Sequence, residues 1–204
     1  ENTKVNWRGE LTQSIAGKEV YPRPVQEKLP LWVATGGHVE STVKIAQAGL
    51  PIVYAIIGGN PRYFKKLIQA YREIGSESGH ADKDLKVGAH SWGWIAEDGE
   101  QAVKDYFHPT KQVVDAISKD RPHWQEMTYE QYLEQVGPNG AMFVGNPDQV
   151  AEKLIRMIED LDLDRFMLHL PLGSMPHDQV LRAIELFGTQ VAPKVRAYFV
   201  MKEG

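Results

Sequence analysis

Leu31-Trp-Val-Ala-Thr-Gly-Gly-His-Val-Glu-Ser-Thr42 joins a short apolar run to a Gly-Gly turn and then directly to a helix. Gly36 and Gly37 allow positive φ and let the backbone come close to a ligand. The helix beyond presents unpaired N–H groups and the positive end of its dipole to that turn. This arrangement receives an anion, above all a phosphate. Ser41 adds a hydroxyl from the first turn, and His38 stands where it can touch the same anion. The plainer reading is a tight strand-to-helix turn that holds nothing.

A rhythm spreads outward from this stretch. Leu31–Thr35 is predicted as a strand and Val39–Gln47 as a helix closed by Gly49. Pro51–Ile57 reads as a buried strand that runs into Gly58-Gly59. Asn60-Pro61 then supplies an N-cap and a first-turn proline. The helix that follows sets Phe64, Leu67, Ile68 and Tyr71 on one stripe and ends near Gly75. Leu85–Ile95 is predicted as a third strand and Asp98–Phe107 as a helix. The pattern from His108 to Gly140 is irregular, with helical pieces at Lys111–Ser118 and Tyr129–Val136. Ala141–Val144 leads into Gly145-Asn146-Pro147 and a strongly amphipathic helix through Ile158. Arg165–Leu170 is predicted as the last strand, followed by helices from Ser174 or Pro176 to Leu186 and from Gln190 to about Val200.

Four buried strands alternating with helices imply parallel βα units. A (β/α)8 barrel needs about 250 residues and eight strands, so four strands suit roughly half of one. A four-stranded open sheet covered on both faces is the alternative. The 204 residues, 42% hydrophobic and 25% charged, suit one globular domain with a sizeable core. A net charge of −4 favours neither nucleic acid nor an anionic membrane surface. The chain has no cysteine, which removes disulfides, thiolate catalysis and thiolate metal sites together. No histidine pair has the spacing of helical metal ligands, so no metal is expected. No apolar run is long enough to span a bilayer, and no signal peptide opens the chain, so a cytoplasmic location is expected. Residues 1–28 are polar and carry Gly9, Gly17, Pro22 and Pro24. They read as a loop connecting from an absent N-terminal half, and residues 29–204 as the folded body.

The order of segments then resembles a known family. They are Tyr21-Pro-Arg-Pro-Val-Gln26, the run from Trp32 to Pro51, and Ala55-Ile-Ile-Gly-Gly-Asn-Pro61. Lys86-Val-Gly-Ala-His-Ser91, Gly140-Ala-Met-Phe-Val-Gly-Asn-Pro147 and Ala183-Ile-Glu-Leu-Phe-Gly188 follow. Together they resemble the bacterial luciferase-like flavin-dependent monooxygenases over nearly the whole chain. The resemblance implies an α/β fold, strands five to eight of a (β/α)8 TIM barrel, with Leu31–Thr35 as strand five and Arg165–Leu170 as strand eight. It implies FMN, reduced by a separate flavin reductase, with O2 as co-substrate and a small organic substrate that receives one oxygen atom.

The same resemblance places the flavin phosphate on Thr35, Gly36, Gly37, His38 and Ser41, and the flavin ring beside Ile57 and Gly58. Ile56 and Ile57 read equally as core. Arg62 and Lys65 lie within reach of a phosphate, or form a solvated basic face. His90 and His169, at matching levels of their strands, are the candidate proton donors, with Trp92 as a neighbouring wall; packed, hydrogen-bonded histidines are the plainer reading. Residues 108–140 are placed to act as a lid over the flavin, with Arg121, His123 and Trp124 toward substrate, or form an ordinary helical excursion packed on the barrel rim. Self-association or a complementary N-terminal half is the expected way to complete eight strands. A non-catalytic half-barrel that keeps a flavin or phosphate corner, a fragment inert without a partner chain, and a deazaflavin-dependent oxidoreductase remain as alternatives.

Overall fold

The computed structural model describes residues 4–27, 29–121 and 124–203. Residues 1–31 and 32–204 form separate compact units. In the first unit Val5–Trp7 (β1) pairs antiparallel with Ile15–Lys18 (β2). A hairpin thus stands inside a segment that the sequence predicts as loop. Its strands are three and four residues long and exposed throughout, so no alternation of apolar and polar residues marks them. Side chains hold the ends instead. Trp7 Nε1 donates to Thr12 Oγ1 at 2.9 Å, and the Gly17 N–H donates to Asn6 Oδ1 at 2.8 Å.

The second unit is a parallel sheet with helices. Its strands are Val33–Thr35 (β3), Ile52–Ala55 (β4), Val87–Ile95 (β5), Phe143–Gly145 (β6) and Arg165–His169 (β7). The order runs β3-β4-β5, and the far side of β5 is shared. Gly88–Trp92 pairs with β7, whereas Gly93–Ile95 pairs with β6. The sequence predicts four strands here and the sheet holds five. β6 is only three residues long and lies in a continuously buried run, so periodicity cannot reveal it.

The helices are Val39–Gln47 (α1), Lys65–Glu77 (α2), Gly99–Asp120 (α3), Tyr129–Val136 (α4), Pro147–Leu161 (α5), His177–Leu186 (α6) and Ala192–Glu203 (α7). Asn60 accepts from the Arg62 N–H at the start of a 3-10 turn, Pro61–Phe64, that feeds α2. Asn146 and Gln149 cap α5 reciprocally, a device that contributes about 1 kcal/mol. On α5, Val150, Leu154, Met157 and Leu161 are buried, each contributing roughly 1.5–3 kcal/mol.

α3 departs most from the sequence reading. Where an irregular stretch was expected from His108, the helix runs on through Pro109 to Asp120. Proline removes one backbone donor and ordinarily breaks a helix. Here Ala102, Tyr106, Thr110 and Val114 keep one buried stripe on both sides of it. Burial of that stripe outweighs the lost bond, and Thr110 Oγ1 donates to the Tyr106 carbonyl across the break.

Register separates the two faces of the sheet. Val53 pairs with Gly88, Ala55 with His90, Met167 with His90 and His169 with Trp92. Alternation therefore sets Gly88, His90 and Trp92 on one face with Arg165, Met167 and His169. A Cβ at Gly88 would stand 3.3 Å from both Trp32 and Val53, and the Arg165 guanidinium lies 4.6 Å from the Trp32 ring centre. Ala34, Arg165, Met167 and His169 on this face are exposed. No helix among the described residues is long and apolar enough to cross a membrane.

Candidate cofactor-binding site

Gly36 follows β3, and Ile57 and Gly58 follow β4, so both turns open at the C-terminal ends of parallel strands. A cleft of about 570 Å3 lies there, lined by Gly36, Ala55, Ile57 and Gly58, by Trp92 of β5 and by Trp124. Phe64, Met127, Gln131, Gln135 and Met142 add to the wall, with Glu134 as a carboxylate among them. Three of the residues singled out by sequence for the cofactor thus come together, with both tryptophans beside them. The two indole rings are 6.3 Å apart, centre to centre.

The turn after β3 is built from both sides. Gly37 has φ of +96°, which glycine alone adopts readily, and a Cβ there would meet the Phe64 ring at 2.8 Å. Gly36 does not share the positive φ expected of both glycines. Its role is space, because nothing lies within 4 Å of a Cβ built on it. The Gly37 N–H donates to Thr35 Oγ1 at 3.3 Å, so Thr35 shapes the turn from a buried position. That bond engages the Gly37 donor and leaves the anion role to the helix start.

His38 is the N-cap of α1 and makes no side-chain cap. The first-turn N–H groups, which no α-helix satisfies internally, therefore keep their donors for a ligand. Ser41 stands half-buried in that turn, and His38 is exposed. The helix is pinned to the sheet by Thr42 Oγ1 and the Tyr54 hydroxyl, 3.2 Å apart and buried. Burial pushes the Tyr54 hydroxyl up to about 12, so it stays protonated and keeps that bond. An open glycine, an uncapped helix start and a rigid anchor together fit a flavin phosphate.

His90 and His169 lie on the concave face with ring centres 5.6 Å apart. They do not line the cleft, whose β5 contribution is Trp92, one residue pair further along the strand. Burial, and secondarily the neighbouring His169, hold the His90 imidazole below its ordinary 6.5. It is neutral at neutral pH, with one ring nitrogen donating and the other accepting.

Lid residues divide. Trp124 lines the cleft, and its N–H donates to the Arg121 carbonyl at 2.9 Å. Arg121 is exposed at the end of α3, away from the lining. His123 lies outside the described residues. Lys111 and Asp115 of α3 grip the stretch at Met127: its N–H donates to Asp115 Oδ1 at 2.9 Å, and Lys111 Nζ donates to its carbonyl at 3.0 Å. Lys111 Nζ also donates to Asp115 Oδ2 at 2.7 Å, and this bond first, with the Met127 N–H second, holds the Asp115 carboxyl below its usual range. Arg62 is turned to Asp160, with Nε 2.9 Å from Oδ2, and lies outside the cleft with Lys65.

A profile of the family described as luciferase-like monooxygenase matches residues 1–164. The chain belongs to that family. No curated protein matches the sequence closely enough to count as a relative. Among solved structures, the luciferase-like chain is similar to the monooxygenase RslO1 from Streptomyces bottropensis, at 19% identity and a TM-score of 0.73. That match covers 94% of this chain and 56% of the other. It is also similar to an F420-dependent secondary alcohol dehydrogenase, at 16% identity and a TM-score of 0.64, over 96% of this chain and 57% of that one. The oxygenating constituent of 3,6-diketocamphane monooxygenase from Pseudomonas putida, in complex with FMN, gives 17% identity and a TM-score of 0.55, over 94% and 58%. The luciferase-like chain thus spans a little over half the length of each, and its parallel sheet is part of a barrel.

Several lining residues escaped the sequence reading. Phe64 was read as part of a core stripe, and Gln131, Gln135 and Met142 carried no local signal. Gln131 and Gln135 reach the cleft from α4, Phe64 from the 3-10 turn after β4, and Met142 from the residue before β6.

Proposed function

We propose that the chain supplies the phosphate corner and one wall of the ring site of a flavin-dependent monooxygenase. Reduced FMN would activate O2 for transfer of one oxygen atom to a small organic substrate. The supporting observation is the coincidence of the cleft, the open Gly36 turn and the uncapped start of α1 at one end of a parallel sheet. In this reading the first-turn N–H groups of α1 and Ser41 hold the phosphate, while Ile57 and Gly58 flank the ring. Trp92 and Trp124 keep water from the reacting edge, which matters because water diverts the reactive flavin. His90 and His169 move a proton on the concave face once further strands complete it. A second copy of the chain supplies those strands, and a separate reductase supplies the reduced cofactor.

The F420-dependent neighbour supports a deazaflavin as the second reading, because the phosphate corner serves either cofactor. Titration with FMN and with a deazaflavin, followed by fluorescence, separates the two. Gly36→Asp places a carboxylate in the open turn, and FMN affinity is expected to fall at least about tenfold through repulsion and lost backbone approach. Unchanged affinity in that variant would mean that the phosphate is held elsewhere.

A further inference from the structure

A second, smaller crevice opens behind the loop that carries Gly58 and Gly59. It lies between the 3-10 turn Pro61–Phe64, the loop 138–140 and α5, and has a volume of about 70 Å3. At 10–15 Å3 for each water it has room for roughly five, and a phosphate has about as many heavy atoms.

Its lining is unbalanced in charge. Arg62, Lys153 and Arg156 face one carboxylate, Asp160, and Arg62 already engages that carboxylate at 2.9 Å. Lys153 is only 9% exposed. Its ammonium donates to the carbonyls of Val136, Gly137 and Met142 at 2.9, 2.7 and 2.6 Å, and lies 5.3 Å from the Phe143 ring centre. Among the described residues no carboxylate oxygen comes within 4.0 Å of it. Among the described residues Arg156 has an ionic partner only in Glu152, one turn earlier on the same helix and 4.0 Å away, beyond hydrogen-bond range. Carbonyl dipoles satisfy the lysine's donors but bring no counter-charge. A buried cation without one is costly.

We propose that this crevice binds a phosphate-sized oxyanion, with Arg156 as its main anchor, Arg62 opposite, and the buried Lys153 as the charge it neutralises. Burial and Arg156 hold the Lys153 ammonium down at about 7, and a bound anion relieves both effects. The site is distinct from the turn at Gly36, so it does not depend on the flavin reading. It nevertheless shares walls with the larger cleft: Met142, whose carbonyl Lys153 holds, lines that cleft from the other side.

The test is calorimetric titration of the full chain with inorganic phosphate, with chloride replaced to keep ionic strength constant. Saturable binding is expected, with a component that Arg156→Gln weakens about tenfold, the loss of one charge-assisted contact. The Arg156 side chain is 49% exposed, so the variant should melt as the parent does. The absence of saturable heat, or parental affinity in Arg156→Gln, would overturn the proposal.

Discussion

At the scale of single residues, glycine and histidine carry the account for different reasons. Gly37 is fixed by its φ and by Phe64, whereas Gly36 matters for the room it leaves. A strand, two glycines and a helix in succession made the location legible in the sequence. The division of labour between the glycines was not, because it depends on Phe64 arriving from a turn more than twenty residues later. His90 and His169 were both legible as candidates, but not at matching levels: His90 is mid-strand opposite Met167, and His169 pairs with Trp92, one same-face step further along. The pH behaviour follows from burial. Above about pH 6.5 His90 is neutral in both the folded and unfolded chain and contributes nothing to pH dependence. As pH falls below that value the unfolded chain takes up the proton first, so stability is lost until the folded group also titrates. His90→Gln is expected to flatten the acid limb of a melting-temperature profile below about pH 6.5. An unchanged limb would mean that His90 titrates as an exposed imidazole.

At the scale of elements, local signals succeeded where local chemistry ended an element. α1 is bounded by the Gly-Gly turn and Gly49, and α4 by Thr128 and Gly137, and both match the ranges read from sequence. α3 was cut short because Pro109 is a local stop that tertiary burial overrides. The consequence is functional. A single long helix carries Lys111 and Asp115 to the place where they grip Met127, and through it the stretch that holds Trp124 over the cleft. Asp115→Ala removes both the acceptor for the Met127 N–H and the partner of Lys111. Limited proteolysis should then cut near residues 121–128 faster than in the parent chain, and FMN affinity should fall severalfold. Equal protection in the variant would show that the stretch is held by other contacts.

At the scale of the molecule, the sheet is one side of a barrel. Its concave face leaves Ala34, Arg165, Met167 and His169 exposed, and among the described residues β3 and β7 each pair along one edge only. Unpaired strand edges and an exposed sheet face favour association. The proposed flavin chemistry needs that face covered, since water must be kept from the cofactor. The most direct test of this reading is a native mass spectrum of the purified chain with FMN added at low salt. The account predicts a species of twice the 23.0 kDa chain mass that carries FMN, and its loss in Gly36→Asp. A 23.0 kDa species without flavin would contradict it.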